Sequence, residues 1–131
     1  MTNRDEIEAI KLANLGFYQA FESLDTAQMA EVWMQDESVK CVHPGWPVLH
    51  GWDLVGESWR RIFENAAAMQ FTITEADVVQ AGEWAYVTCT ENLISVVDGR
   101  VTGGKVQATN IFCKRDDRWL LVHHHGSPLV T

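Results

Sequence analysis

Cationic side chains are scarce in this chain. Ten Lys and Arg stand against eighteen Asp and Glu, leaving a formal net charge of −8. Phosphate backbones are gripped by clustered Lys and Arg, so no nucleic-acid partner is expected. The densest basic run, Lys114-Arg115-Asp116-Asp117-Arg118, is diluted by two aspartates and reads as a hairpin turn. Cysteine is limited to Cys41, Cys89 and Cys113, an odd and widely spaced set in apolar, strand-like runs. That pattern argues for free thiols in a reducing compartment rather than a disulfide framework. No apolar stretch is long enough to span a membrane, so no membrane partner is expected. The opening residues Met-Thr-Asn-Arg-Asp-Glu show no apolar leader region, and a cytoplasmic protein is expected. Repeats, linkers and low-complexity tracts are missing too, so the chain reads as one domain over 1–131.

Apolar side chains are plentiful, at 47% of residues, and include six tryptophans. Asn3 followed by Glu6 predicts a capped helix, with Ile10, Ala13, Phe17, Phe21 and Leu24 at helical spacing. Asp25 followed by Gln28 predicts a second, short helix ending near Met34. Residues 38–43, "SVKCVH", form a brief β-type run before the Pro44-Gly45-Trp46-Pro47 loop. Gly51 precedes a third helix, with Val55, Trp59, Ile62, Phe63 and Ala66 on its buried face. From Gln70 the period changes to two, predicting strands near 70–80, 83–97, 101–115 and 118–126. Asp98-Gly99 is a hairpin signal between two of them. The class is α+β, with three helices covering the concave side of a curved, mainly antiparallel sheet.

The stretches 22–33, 42–63, "VQATNIF" (106–112) and "RWLLVHHHGSP" (118–128) resemble the SnoaL-like, ketosteroid-isomerase-homologue branch of the nuclear transport factor 2-like superfamily. The resemblance covers nearly the whole chain. It implies a cone open at one end to an apolar pocket, and a homodimer. True ketosteroid isomerases carry a Tyr on helix one, where counting back from Asp25 finds Phe17, with Tyr18 one residue off. Their base, an Asp before Pro, is matched by His43 before Pro44, and their protonated Asp by Asn110. Three departures argue against that reaction.

The departures have chemistry of their own. His43 titrates in the range a general base needs. Asn110 can donate to a developing oxyanion. On strict alternation, Trp119, Leu121, His123 and His125 share one face of the last strand, and His124 the other. The expectation is therefore that His123 and His125 enter the cone, with His125 joining His43 and Asn110 as catalytic residues, and that His124 faces out. The alternatives for the histidines are structural bonding, a metal site of His43, His123 and His125, and a purification remnant. No local metal motif supports the metal option, and no metal or cofactor is expected. Tyr18, Trp33, Trp46, Trp59, Phe63 and His123 are the candidate pocket residues, each with core packing as the plain alternative. Glu91 and Asn92 face opposite ways, so at most one of them enters the pocket. Leu120 and Val122 on the second face favour dimerisation through the sheet. Two function classes stay open. One is a metal-free acid–base enzyme of isomerase, dehydratase or cyclase type, acting on a small apolar carbonyl compound. The other is a non-catalytic ligand-binding or protein-association module.

Overall fold

The computed structural model describes residues 3–130, with the side chain of Asn3, read above as a cap, outside that description. Helix α1 runs Asn3–Ser23 and α2 Thr26–Val32. The start of α2 is set by Asp25, whose carboxylate accepts from the Ala27 amide at 2.9 Å. Strands β1 (Lys40–Val42) and β2 (Leu49–His50) flank the proline loop, and α3 (Trp52–Glu64) follows. The rest is a meander of β3 (Ala68–Ala81), β4 (Trp84–Val97), β5 (Arg100–Arg115) and β6 (Arg118–Pro128). Asp98 and Gly99 both adopt positive φ, as a tight two-residue hairpin turn requires, and Asp116-Asp117 does the same without glycine.

One sheet holds all six strands in the order β2-β1-β6-β5-β4-β3. Among the described strands only β1 against β6 is parallel, and an isolated parallel bridge joins Trp33 to Leu121. The helices lie on one face and fill it. Ile10, Phe17, Tyr18 and Phe21 of α1 meet Val55, Trp59 and Phe63 of α3 over Val87, Cys89, Ala108 and Phe112 of the sheet, all buried. Trp59 is the centre of the aromatic packing, with ring centroids 4.7 Å from Phe21 and 5.8 Å from Phe17.

Strand β6 departs from strict alternation. Phe112 pairs with Leu121, but its neighbour Ile111 pairs with His123, so Val122 is an extra residue. A bulge of one residue reverses the faces of everything beyond it. Trp119 and Leu121 point inward before it, His124 and Gly126 after it. This corrects the expected orientation of all three histidines. His124 is the buried one, at 2% exposure, while His123 is half-buried and His125 exposed.

Gly126 lets the proline loop close onto β6. A Cβ there would sit 2.9 Å from Val106 Cγ1 and 3.3 Å from Pro44 Cγ. Val106 is β-branched and stiff, so the contact has little room to give. Gly126→Ala is expected to destabilise the fold by about 1–3 kcal/mol, as overpacking does. A urea titration against wild type measures this, and an unchanged midpoint would remove Gly126 from the explanation of the loop's position.

Candidate functional site

Six polar side chains meet in the apolar interior: Asn14 and Tyr18 from α1, Glu91 from β4, Asn110 from β5, His124 from β6, and His43 just beyond β1. The centre is Asn110, which has no exposed surface. Its Nδ2 donates to Asn14 Oδ1 at 2.9 Å and to Tyr18 Oη at 3.1 Å. With both amide hydrogens committed, Oδ1 turns to His124 and accepts from Nδ1–H at 2.6 Å. Tyr18 passes its own hydrogen on, donating to Glu91 Oε2 at 2.6 Å, with Cys89 Sγ 3.5 Å away. His124 Nε2 therefore keeps its lone pair and lies 4.0 Å from Glu91 Oε2.

A second, smaller chain holds His43. Ser58 on α3 donates its single hydroxyl hydrogen to the Val55 carbonyl at 2.6 Å. The 2.9 Å contact between Ser58 Oγ and His43 Nε2 must then be an imidazole N–H donating to the serine oxygen. The lone pair of His43 is placed on Nδ1, 3.9 Å from the Cys41 thiol. Trp46 covers this imidazole edge-on at 4.8 Å and Trp59 at 4.7 Å from the interior side. The two imidazoles lie 6.5 Å apart, centroid to centroid.

Burial dominates the electrostatics. It pushes Glu91 up to about 7, with the Tyr18 hydrogen bond pulling back. The same desolvation pushes His43 down to about 4. His124 is held well below the imidazole range by burial and then by the neighbouring histidines. His124 and Glu91 are therefore not an ion pair at neutral pH, despite their 4.0 Å approach. The Tyr18 phenol is held far above its ordinary range by burial and by Glu91.

Of the residues expected from sequence, the structure brings together Tyr18, Trp59, His43 and Asn110, with Trp46 on the outer side of His43. Phe63 and Trp33 are core, Trp33 packing on Trp52 and Trp59. His125 and His123 are turned to the opposite face, away from His43 and Asn110, because of the bulge. Asn110 has no hydrogen left to offer an oxyanion. His124, expected to face out, is inside, and Asn14 carries no signal in the sequence beyond its place on the first helix. Alternation allowed one of Glu91 and Asn92 inside, and Glu91 is that one, at 3% exposure. The phenol one residue off the isomerase spacing, Tyr18, is the one that bonds Asn110. The expected open interior is packed, and a largely apolar cleft of about 270 Å³ opens beside Trp46, walled by Ile62, Ala66, Met69 and Val97. No group of three metal-ligating side chains is found among the described residues.

Two opposed proton linkages follow. Folding favours protonated Glu91, so its stabilisation is complete below about 4.5 and is lost as pH rises through about 7. Folding favours neutral His43, so its contribution is present above 6.5 and is lost as pH falls through about 4. Glu91→Gln removes only the first. Between about pH 4 and about pH 8 the variant should gain on the order of 3 kcal/mol relative to wild type. Chemical denaturation at the two pH values reads this, and a parallel pH dependence of the two proteins would refute the assigned protonation of Glu91.

The chain is similar in sequence and fold to known proteins. The SnoaL-like domain model matches residues 10–131. A candidate dehydratase of the NTF2-like family from Streptomyces avermitilis is 38% identical, with a TM-score of 0.94 over 99% of this chain and 100% of that one. A candidate calcium/calmodulin-dependent protein kinase type II association domain from Thiobacillus denitrificans is 30% identical, with a TM-score of 0.81 over 92% of this chain and 94% of its own. Among curated proteins, F-box protein SKIP8 of Arabidopsis thaliana is 28% identical over 122 residues, which span 93% of this chain and 50% of that protein. The chain thus spans about half the length of that relative. With three helices on a six-stranded sheet and a family match over nearly its whole length, the chain belongs to the SnoaL-like domain family of NTF2-like fold.

Proposed function

We propose that the protein is a metal-free acid–base enzyme of the dehydratase type, acting on a small apolar compound with a hydroxyl β to a carbonyl. One observation carries the reading: two titratable groups in one buried cluster whose environments push them in opposite directions. Such pairs mark acid and base assignments. His43, with its lone pair on Nδ1, is the base that removes the proton α to the carbonyl. Glu91, which keeps a proton to about 7, is the acid that protonates the departing hydroxyl, so that water leaves and a C=C bond forms. Tyr18, Asn110 and Asn14 position Glu91 and His124. The indole N–H of Trp59, buried with no protein acceptor, is a donor beside the imidazoles for a substrate oxygen. Trp46 is the side chain that must move for a substrate to reach His43. The name of the 38% identical Streptomyces protein supports the same reaction class.

Kinetics test this reading. His43→Phe and Glu91→Gln should each lower kcat by roughly 10²–10⁴-fold on a β-hydroxy carbonyl substrate, the range that general acid–base catalysis supplies. In wild type, kcat/KM should fall below about 4 and above about 7. A rate that ignores both substitutions would end the proposal.

A second reading, self-association, is favoured by the other face of the sheet. Trp84 (54% exposed) and Tyr86 (43% exposed) stand there beside Val79 and Ile111. We propose a homodimer through this face, in a cytoplasmic setting; the kinase association-domain neighbour supports assembly. Trp84→Glu combined with Tyr86→Glu should convert the dimer to a monomer in light scattering, and a monomeric wild type would contradict the assignment.

A further inference from the structure

The cleft beyond Trp46 has a feature that the acid–base reading does not use. Its only charged wall residue is Arg61, on the solvent side of α3. The adjacent Arg60 takes the nearby carboxylates: it donates to both oxygens of Glu57 and to Glu64 Oε1. Glu57 feels the charge of Arg61 as well, but its two oxygens are occupied. Arg61 is left without a carboxylate within bonding distance among the described residues. The chain's net charge of −8 disfavours anions overall, so the unpaired guanidinium is what gives this cleft a local, modest preference for a carboxylate.

The helix end beside it does not cancel that preference. Backbone amides of Asn65 and Ala66 bond the Ile62 and Phe63 carbonyls, and Asn65 Nδ2 bonds the Arg61 carbonyl at 2.9 Å. The remaining dipole amounts to about half a charge, against a full charge on arginine. Trp46 touches both regions: it lines this cleft, and its ring centroid lies 4.8 Å from that of the His43 imidazole. The volume, about 270 Å³, lies just under the usual range for drug-sized ligands, so the occupant is small.

We propose that the cleft takes the apolar body of a carboxylate-bearing substrate, with Arg61 pairing the carboxylate and the reacting carbonyl end directed past Trp46 to His43. This inference rests on the acid–base reading for where the chemistry occurs, but its test uses binding alone. The probes are 4-phenylbutyrate and its isosteric neutral amide, compared by isothermal titration calorimetry with the intact chain. The acid should bind roughly two- to fivefold more tightly than the amide, the range expected of a solvent-exposed ion pair. Arg61→Gln should erase that ratio, Arg61→Lys should retain it, and added salt should shrink it. Ala66→Trp should abolish binding of both probes by filling the cleft. Equal affinity of acid and amide, a preference that survives Arg61→Gln, binding unaffected by Ala66→Trp, or no measurable binding of either probe would overturn the proposal. None of these measurements touches His43 or Glu91. Failure here therefore leaves the kinetic test of those residues standing, and failure there leaves this one standing.

Discussion

The side-chain amide of Asn110 ties the structure together. It accepts one hydrogen bond and donates two, and its partners sit on two other elements, α1 and β6. A buried amide whose two hydrogens and oxygen are all engaged stabilises its surroundings, whereas leaving one of those atoms without a partner costs about 1–3 kcal/mol. Each partner is in turn committed by this arrangement. Tyr18, having accepted from Asn110, has its hydrogen free for Glu91. His124, having donated from Nδ1, presents a lone pair at Nε2. The tautomer of His124 and the direction of the Tyr18 hydrogen follow from one residue on β5, while His43 takes its tautomer from Ser58.

The aromatic packing gives these bonds their chemical consequence. Phe17 lies 4.9 Å from His124 and 4.8 Å from Tyr18, and Trp59 stands against both imidazoles. Rings of this size exclude water and lower the local dielectric, which favours the neutral form of every titratable group. A carboxyl group and two imidazoles are thereby all shifted toward their neutral forms within one small volume. Polar groups are rarely gathered in a core without a purpose, since apolar residues of the same volume would often stabilise the fold as well or better.

Local patterns revealed the elements and most of their limits. The apolar spacing of Phe17 and Phe21, the cap at Asp25 and the Asp98-Gly99 turn each depend on residues close in the chain, and each appears where expected. The site depends on long-range register instead. Which of Glu91 and Asn92 turns inward is decided by pairing between β4 and β5, and the faces of β6 by an extra residue opposite Phe112 and Ile111. Neither is written in a window of ten residues. Strand β2 also escaped, because two residues after a proline loop carry no period. Tyr18 was named among the pocket candidates, but its bond to Asn110 spans 92 positions, and no spacing rule reaches that far.

The bulge at Val122 gives the triple histidine a further meaning. A point insertion or deletion in a strand ordinarily exchanges an inward side chain for a chemically different neighbour. Here the residues on both sides of His124 are also histidines. If the pairing of β6 slipped by one position in either direction, an imidazole would still arrive opposite Asn110. The run of histidines thus leaves the group opposite Asn110 insensitive to register, and the register itself is set elsewhere on the strand, by Trp119 and Leu121 in the core and by Gly126 under the proline loop.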